Sequence, residues 1–390
     1  MNPSSSGWIK KLLKELTNNN RFLKFDEETF YEALRASGFI YGSNLNVVSQ
    51  VIQKKDLTEE ELCKTNLVLS FYYIYANSQN NEPFVESVIN FYNSIDTTKS
   101  SFLQDLLGGK KSEEQLEKII HRRIQIDANV LTKNFNYFII NALLFIDVLA
   151  YKTYLQDHKI STDYLKDMEA SITSISLDVL NSKEIKNQYD DSLIKLFESS
   201  LRYQDNSHIK YKKAIKNVIT NLEKFYVLDL ACMATWSDQM IDIEEHHFLE
   251  KLGHDLNLNF TKTQQSIKAV NKFYTVNKDN IALLSSKNVV QSFYNNSSKM
   301  VKKLITRNSK RLYQELKDSK ELMVLLSQST VRDLNKEEQK KVQEQLLDIF
   351  KSIPSLAIFM LPGGALLLPL VIKFIPKLLP SAFDDNRVEE

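Results

Sequence analysis

The chain has 390 residues, 43% of them hydrophobic, which suffices for two or three folded domains and excludes a disordered polymer. Fifty Lys and Arg against forty-nine Asp and Glu leave a net charge of +1, so there is no global electrostatic drive toward nucleic acid and any such binding needs a local patch. The two cysteines, Cys63 and Cys232, lie far apart in apolar helical patterns, which argues against a disulfide framework or a cysteine metal site and fits a reducing compartment.

The opening stretch "MNPSSSGWIKKLLKEL" carries Lys10, Lys11 and Lys14 where a signal peptide needs an unbroken apolar run, so the body is expected in the cytoplasm. Glycine and proline then become scarce. Between Gly109 and Pro354 there is one glycine, Gly253, and no proline, too few for the turns of a β-protein. Leu116, Ile119, Ile120 and Ile124 recur at helical spacing, and Asn- or Ser-rich breaks divide the chain into about a dozen helices. The predicted fold is an all-α multi-helix bundle. Its expected regions are 1–135, an N-terminal helical region; 136–290, a second helical domain; 291–333, a basic amphipathic connector; and 334–390, a Pro-rich apolar segment. The most apolar stretch of the body, Tyr137 to Tyr151, is interrupted by Asn141 and Asp147 and falls short of the ~20 residues of a membrane span, so it reads as a buried central helix.

The segment "SDQMIDIEEHHFLEKLGHDLNL" turns from one helix into another. Asp242 is placed to cap the second helix with Glu245 as its capping-box partner, and Glu244 suits the positive end of the helix dipole. With Asp238, these four carboxylates also offer oxygen ligands to a divalent cation, although an EF-hand's alternating ligands and central glycine are missing. The phrase resembles the tellurite-resistance TerB family through Asp238, Ile241, Asp242, Glu244 and Glu245. Gln239 and Met240 stand where that family has a glycine and an acidic residue. The resemblance implies a helical-bundle core over roughly Asn141 to Ser286 and a metal at the acidic corner. His247, Glu250 and His254 lie opposite the apolar stripe of Phe248, Leu249, Leu252 and Leu256, a solvated face rather than a zinc site, and His121 has no evident partner.

In "KMVKKLITRNSKRLYQELK", Lys299, Lys302, Lys303, Arg307, Lys310 and Arg311 share one helix face, with Val301, Leu304, Ile305 and Leu312 on the other. Such a face is either simply solvated or turned to anionic lipid or ribosomal RNA. Motifs for nucleotide binding or nucleophilic catalysis are missing, so no catalytic role is expected.

Asn335 then caps a helix with Glu338 as box partner, and Val342, Leu346, Ile349 and Phe350 form its apolar face. From Leu356 to Ile372 no charge occurs over seventeen residues, flanked by Lys351, Lys373 and Lys377. Pro354, Pro362, Pro369 and Pro376 are spaced eight, seven and seven apart, which would align them on one continuous helix; a break at Pro362-Gly363-Gly364 would instead make a hairpin that enters a membrane partway or packs on the body. The phrase formed by Leu367, Leu368, Pro369, Lys373, Pro376, Leu379, Pro380, Ser381 and Phe383 resembles the membrane segment of the Letm family, the leucine-zipper and EF-hand-containing transmembrane proteins. That resemblance implies a membrane-linked protein associated with cation/proton exchange and ribosome binding. With a TerB-like body ahead of it, the arrangement resembles bacterial Letm-related biofilm-associated proteins.

The expected function is a non-enzymatic scaffold or adaptor on the cytoplasmic side of the inner membrane, held by a C-terminal anchor. The alternatives are a ribosome-binding or cation-homeostasis factor there, and a soluble protein with its apolar tail buried. No cofactor is expected beyond a divalent cation at the acidic corner. Membrane lipid is the expected partner, with ribosomes or membrane proteins as candidates; DNA and small-molecule substrates are not expected.

Overall fold

The computed structural model describes residues 1–52, 57–95, 112–124, 141–157, 159–182, 209–235, 243–277, 301–353, 356, 359 and 368–378. Among them the regular elements are α-helices and short 3-10 turns, with no strand. The all-α expectation holds. In chain order the helices are α1 (Trp8–Leu16), α2 (Glu27–Ser37), α3 (Glu59–Ala76), α4 (Phe84–Ile95), α5 (Ser112–Ile124), α6 (Phe145–Asp157), α7 (Thr162–Ser182), α8 (Tyr211–Asn217), α9 (Asn221–Thr235), α10 (Ile243–Asp255) and α11 (Phe260–Asn277). They continue with α12 (301–307), α13 (Ser309–Lys317), α14 (Lys320–Gln328), α15 (Lys336–Ser352) and α16 (Leu368–Leu378).

Local chemistry sets the ends of these helices. Asp26 caps α2 by accepting the Thr29 N–H at 2.7 Å, and Thr58 with Glu61 closes a capping box on α3. At the other end of α2, Gly38 adopts φ 83° and the Phe39 N–H reaches back to the Leu34 carbonyl. A Cβ at Gly38 would stand 1.9 Å from the Ser43 carbonyl oxygen, so the turn needs glycine there. Gly253 serves packing instead: a Cβ would lie 2.1 Å from Thr263 Oγ1, so the missing side chain is what lets α10 approach α11.

One apolar core runs from Trp8 to Tyr274. Helices α3, α6 and α9 lie deepest in it and are buried almost all round, so their sequences lack the one-sided pattern of a surface helix. The expectation of a buried central helix over Tyr137 to Tyr151 is met by α6 from Phe145 on, where Phe145, Val148, Leu149 and Tyr151 are all buried; residues 137–140 lie outside the described residues and a turn at 143–144 precedes the helix. Phe71 of α3 sits between Phe91, Tyr92 and Tyr151, with ring centroids 5.1 to 6.0 Å away. Asn66 is a polar group bonded within this core. It receives the Val48 N–H at 2.9 Å and gives its own amide hydrogens to Asn44 and the Asn46 carbonyl, which ties the loop before α3 to that helix.

A second, separate core is built from residues 301 to 375. Val342, Leu346 and Phe350 on α15 face it as expected, together with Leu312 and Leu316 of α13 and Leu322 and Leu326 of α14. The Phe350 and Phe359 rings lie 4.9 Å apart. Helix α16 adds Leu368, Val371 and Ile375 and packs on α14.

Candidate functional site

The C-terminal module gathers the chain's clearest functional signals. Asn335 and Glu338 form the expected capping box on α15: the Glu338 N–H donates to Asn335 Oδ1 and the Asn335 N–H to Glu338 Oε2, both at 2.9 Å. Arg332 grips the same carboxylate with both terminal nitrogens, at 2.7 and 2.8 Å. These bonds pull the Glu338 pKa down to about 2, with the Arg332 hydrogen bond the largest cause and the Asn335 N–H next.

Helix α15 ends at Ser352, where Ile353 turns to the extended geometry that a residue ahead of proline prefers. Of the four spaced prolines, Pro354 and Pro362 lie outside the described residues, and Pro369 and Pro376 fall on one helix. Helix α16 starts at Leu368, so Pro369 sits in its first turn, where no internal N–H bond is lost; Pro376 lies inside the helix and is buried. At 11 residues α16 rises about 16 Å, about half of a ~30 Å hydrocarbon core. Among the described residues no helix is long and apolar enough to cross a membrane. Of the remaining apolar-segment candidates, Pro354, Pro362, Gly363, Gly364, Pro380 and Phe383 lie outside the described residues, and Lys373 is placed only as a position on α16.

The basic face divides in the structure. Lys302, Lys303, Lys310 and Arg311 are exposed opposite buried Val301, Leu304, Ile305 and Leu312, as the spacing predicts; Lys299 lies outside the described residues. Arg307 breaks the pattern. Its side chain is 7% exposed and Nη1 donates to Glu61 Oε2, whose side chain is fully buried. The same carboxylate accepts the Ser4 hydroxyl at 2.6 Å and the Thr58 N–H at 2.9 Å, and Lys303 Nζ reaches the Leu57 carbonyl at 3.3 Å. This end of the basic face is thus docked against the first turn of α3. Sequence spacing placed Arg307 on a polar stripe but could not see the acidic helix end folded onto it. Arg311 is also committed in part, giving a hydrogen bond to the Ser352 carbonyl at the end of α15.

The acidic corner is described in part. Asp238 and Asp242 lie outside the described residues, while Glu244 is exposed and Glu245 buried. Among the described residues no group of three His, Cys, Asp or Glu side chains is arranged to hold a metal ion. His247 and His254 are exposed, and Glu250 turns to α11, where Gln264 Nε2 donates to it at 3.1 Å. His121 does have a partner, with its Nδ1 3.7 Å from Glu60 Oε1. A cleft of about 810 Å³ opens beside the start of α2, lined by Asp26, Glu27, Glu28, Glu32, Phe225 and Lys262 among others. Its carboxylates are already engaged, with Thr29, Lys152, Lys262 and Arg35 respectively.

Two buried polar centres escaped the sequence reading. Arg35 holds Asp229 by two bonds, Nε to Oδ2 at 2.6 Å and Nη2 to Oδ1 at 2.8 Å, while the Tyr31 hydroxyl donates to the same carboxylate at 2.8 Å. Nη2 also donates to Ser266 Oγ at 2.7 Å. Burial opposes the Arg35 charge, yet neighbouring Asp229 holds its pKa above the ordinary value. Burial and then Asp229 raise the pKa of Tyr31. The second centre is Asp147, which accepts Arg123 through Nε at 2.8 Å and Nη2 at 2.6 Å, and the Tyr92 hydroxyl at 3.1 Å. The available signal was a single acid inside an apolar helix, "VLDLACMA" for Asp229 and "LLFIDVLAY" for Asp147. Such an acid must find a buried cation.

Residues 334–390 match the family model described as LETM1-like, RBD. The match begins at the α15 capping box and takes in the whole apolar segment, 57 of the 390 residues. The Letm resemblance of the C-terminal phrase is therefore supported for that module. No curated protein and no solved structure matches the chain.

Proposed function

We propose that this protein is a non-enzymatic helical adaptor of the Letm-related type, positioned on the cytoplasmic side of the inner membrane, with its C-terminal module engaging ribosomes. The observation that carries this reading is the coincidence of the LETM1-like, RBD match with residues that join α12 to α14 in a core of their own. The exposed Lys302, Lys303 and Lys310 beside that core supply the positive charge an RNA-rich partner requires. The TerB-like core, the divalent cation at the acidic corner and the kinship with biofilm-associated proteins rest on residue resemblance alone.

Co-sedimentation of the full-length protein with ribosomes across a salt series tests the ribosome part. Binding that weakens steadily with salt is expected, and failure to sediment at low salt would refute it. A second reading has an observation in its favour: Leu368, Val371 and Ile375 are buried in the protein's own core, as in a soluble protein that covers its apolar tail. Alkaline extraction of membranes separates the two. Retention of the full-length chain with release of a form ending at Lys351 supports anchoring, and release of both supports the buried tail.

A further inference from the structure

Among the described residues the two apolar cores are separate, and hydrogen bonds cross between them at Arg307 to Glu61 and at Lys303 to the Leu57 carbonyl. The two partners of this ion pair stand in unequal positions. Undocking would open Glu61 to water, and it would keep the Ser4 hydroxyl and the Thr58 N–H at the positive end of α3. Arg307 is held through Nη1, while its Nε and Nη2 are buried without a hydrogen-bond partner among the described residues. Burying a guanidinium whose other donors are unfilled costs free energy that water or a better acceptor would return. A phosphate group is such an acceptor, since its several oxygens match the guanidinium fork and fill two donors together.

We infer that the pair formed by Glu61 and Arg307 is a releasable latch, in which Glu61 occupies the place of an RNA phosphate. The C-terminal module docks on the body with Arg307 covered, and release presents Arg307 and Lys303 beside exposed Lys302 and Lys310. The partner is RNA rather than lipid because of what the helices expose. The outward positions of α12 and α13 include Lys302, Lys303, Thr306, Lys310, Gln314 and Lys317, all polar, while Val301, Leu304, Leu312 and Leu316 are buried in the second core. A helix that binds lipid needs its apolar face available for insertion, and a phosphodiester chain does not. This inference rests on the ribosome reading above for its partner, but the latch itself does not depend on it.

The test uses the full-length protein and its Glu61→Gln, Arg307→Gln and Asp157→Asn variants. Glutamine keeps the capping box of α3 and removes only the charge, and the exposed body residue Asp157 controls for loss of one negative charge. Small-angle scattering across a sodium chloride series reads opening, and fluorescence anisotropy with a labelled single-stranded RNA oligonucleotide reads binding. Glu61→Gln should open at lower salt than wild type and bind RNA roughly three- to tenfold more tightly, as the binding-competent fraction rises. Arg307→Gln should also open at lower salt, yet bind RNA more weakly than wild type. If Glu61→Gln behaves as Asp157→Asn in both measurements, the latch is overturned. If Glu61→Gln opens early but gains affinity only for vesicles containing anionic phospholipid, RNA is overturned as the partner. Failure of the wild-type chain to sediment with ribosomes would remove the ribosome reading, while the scattering result still decides the latch.

Discussion

The body and the C-terminal module bury their charges differently. In the body, Asp229 and Asp147 lie within the core and each receives a two-pronged arginine and a tyrosine hydroxyl, with aromatic rings packed around them. The module fills its core with leucine, valine, isoleucine and the Phe350–Phe359 pair, and its ion pairs, such as Arg332 with Glu338 and Lys341 with Glu321, lie at the surface. A buried, fully bonded charge pair fixes one arrangement, because every alternative strands a charge away from water. An apolar stripe with a capped helix tolerates more rearrangement. The contrast gives the body fixed buried pins and the module a core that tolerates more rearrangement. The junction between them differs from both, with a buried arginine held through one nitrogen.

The comparison can be broken most forcefully at Asp229. Asp229→Ala leaves Arg35 buried without its counter-ion and should cost roughly 3–5 kcal/mol. Both tryptophans, Trp8 and Trp236, precede the module, so tryptophan fluorescence during urea unfolding reports the body alone. That transition should move to lower urea; an unchanged midpoint would show that the buried pair does not hold the body together. Next comes Leu346→Ala, which opens a cavity in the second core and should cost roughly 2–5 kcal/mol. Helical circular dichroism should then be lost in an earlier step that the tryptophans do not register. A coincident shift of both signals would instead mean that body and module unfold as one unit.

The smallest effect is the pH dependence of the module. The Glu338 pKa is depressed to about 2 in the folded protein, against about 4.3 for an unfolded chain, so the unfolded state binds a proton first as pH falls. The stabilisation from this carboxylate is complete above about 4.3 and is lost progressively as pH falls toward about 2. Glu338→Gln should therefore destabilise the module at neutral pH and converge with wild type at the acid end, as followed by circular dichroism. A constant difference between the two across that window would contradict the assignment.

Much of this architecture was legible in the sequence. The scarcity of glycine and proline predicted helices, and Asn335 and Glu338 predicted a capping box that the structure contains. Val342, Leu346 and Phe350 predicted a buried face, and the proline-spaced phrase pointed to the family model that matches residues 334–390. These features are local, depending on neighbours within a turn or two of helix, where spacing alone decides which side chains meet.

Pairings across long sequence distances were not legible. Arg35 lies 194 residues from Asp229, and Arg307 lies 246 residues from Glu61. Nothing in a helical repeat says which distant helix will lie opposite. Sequence also set Arg307 among solvated residues, since periodicity assigns a side chain to a face without revealing what covers that face. By itself the chain determined its helices, their caps and their apolar stripes, because these follow from local propensity and hydrogen bonding. The tertiary structure alone decided which charges became buried pins and which became a joint, because burial and counter-ions depend on how the helices pack together.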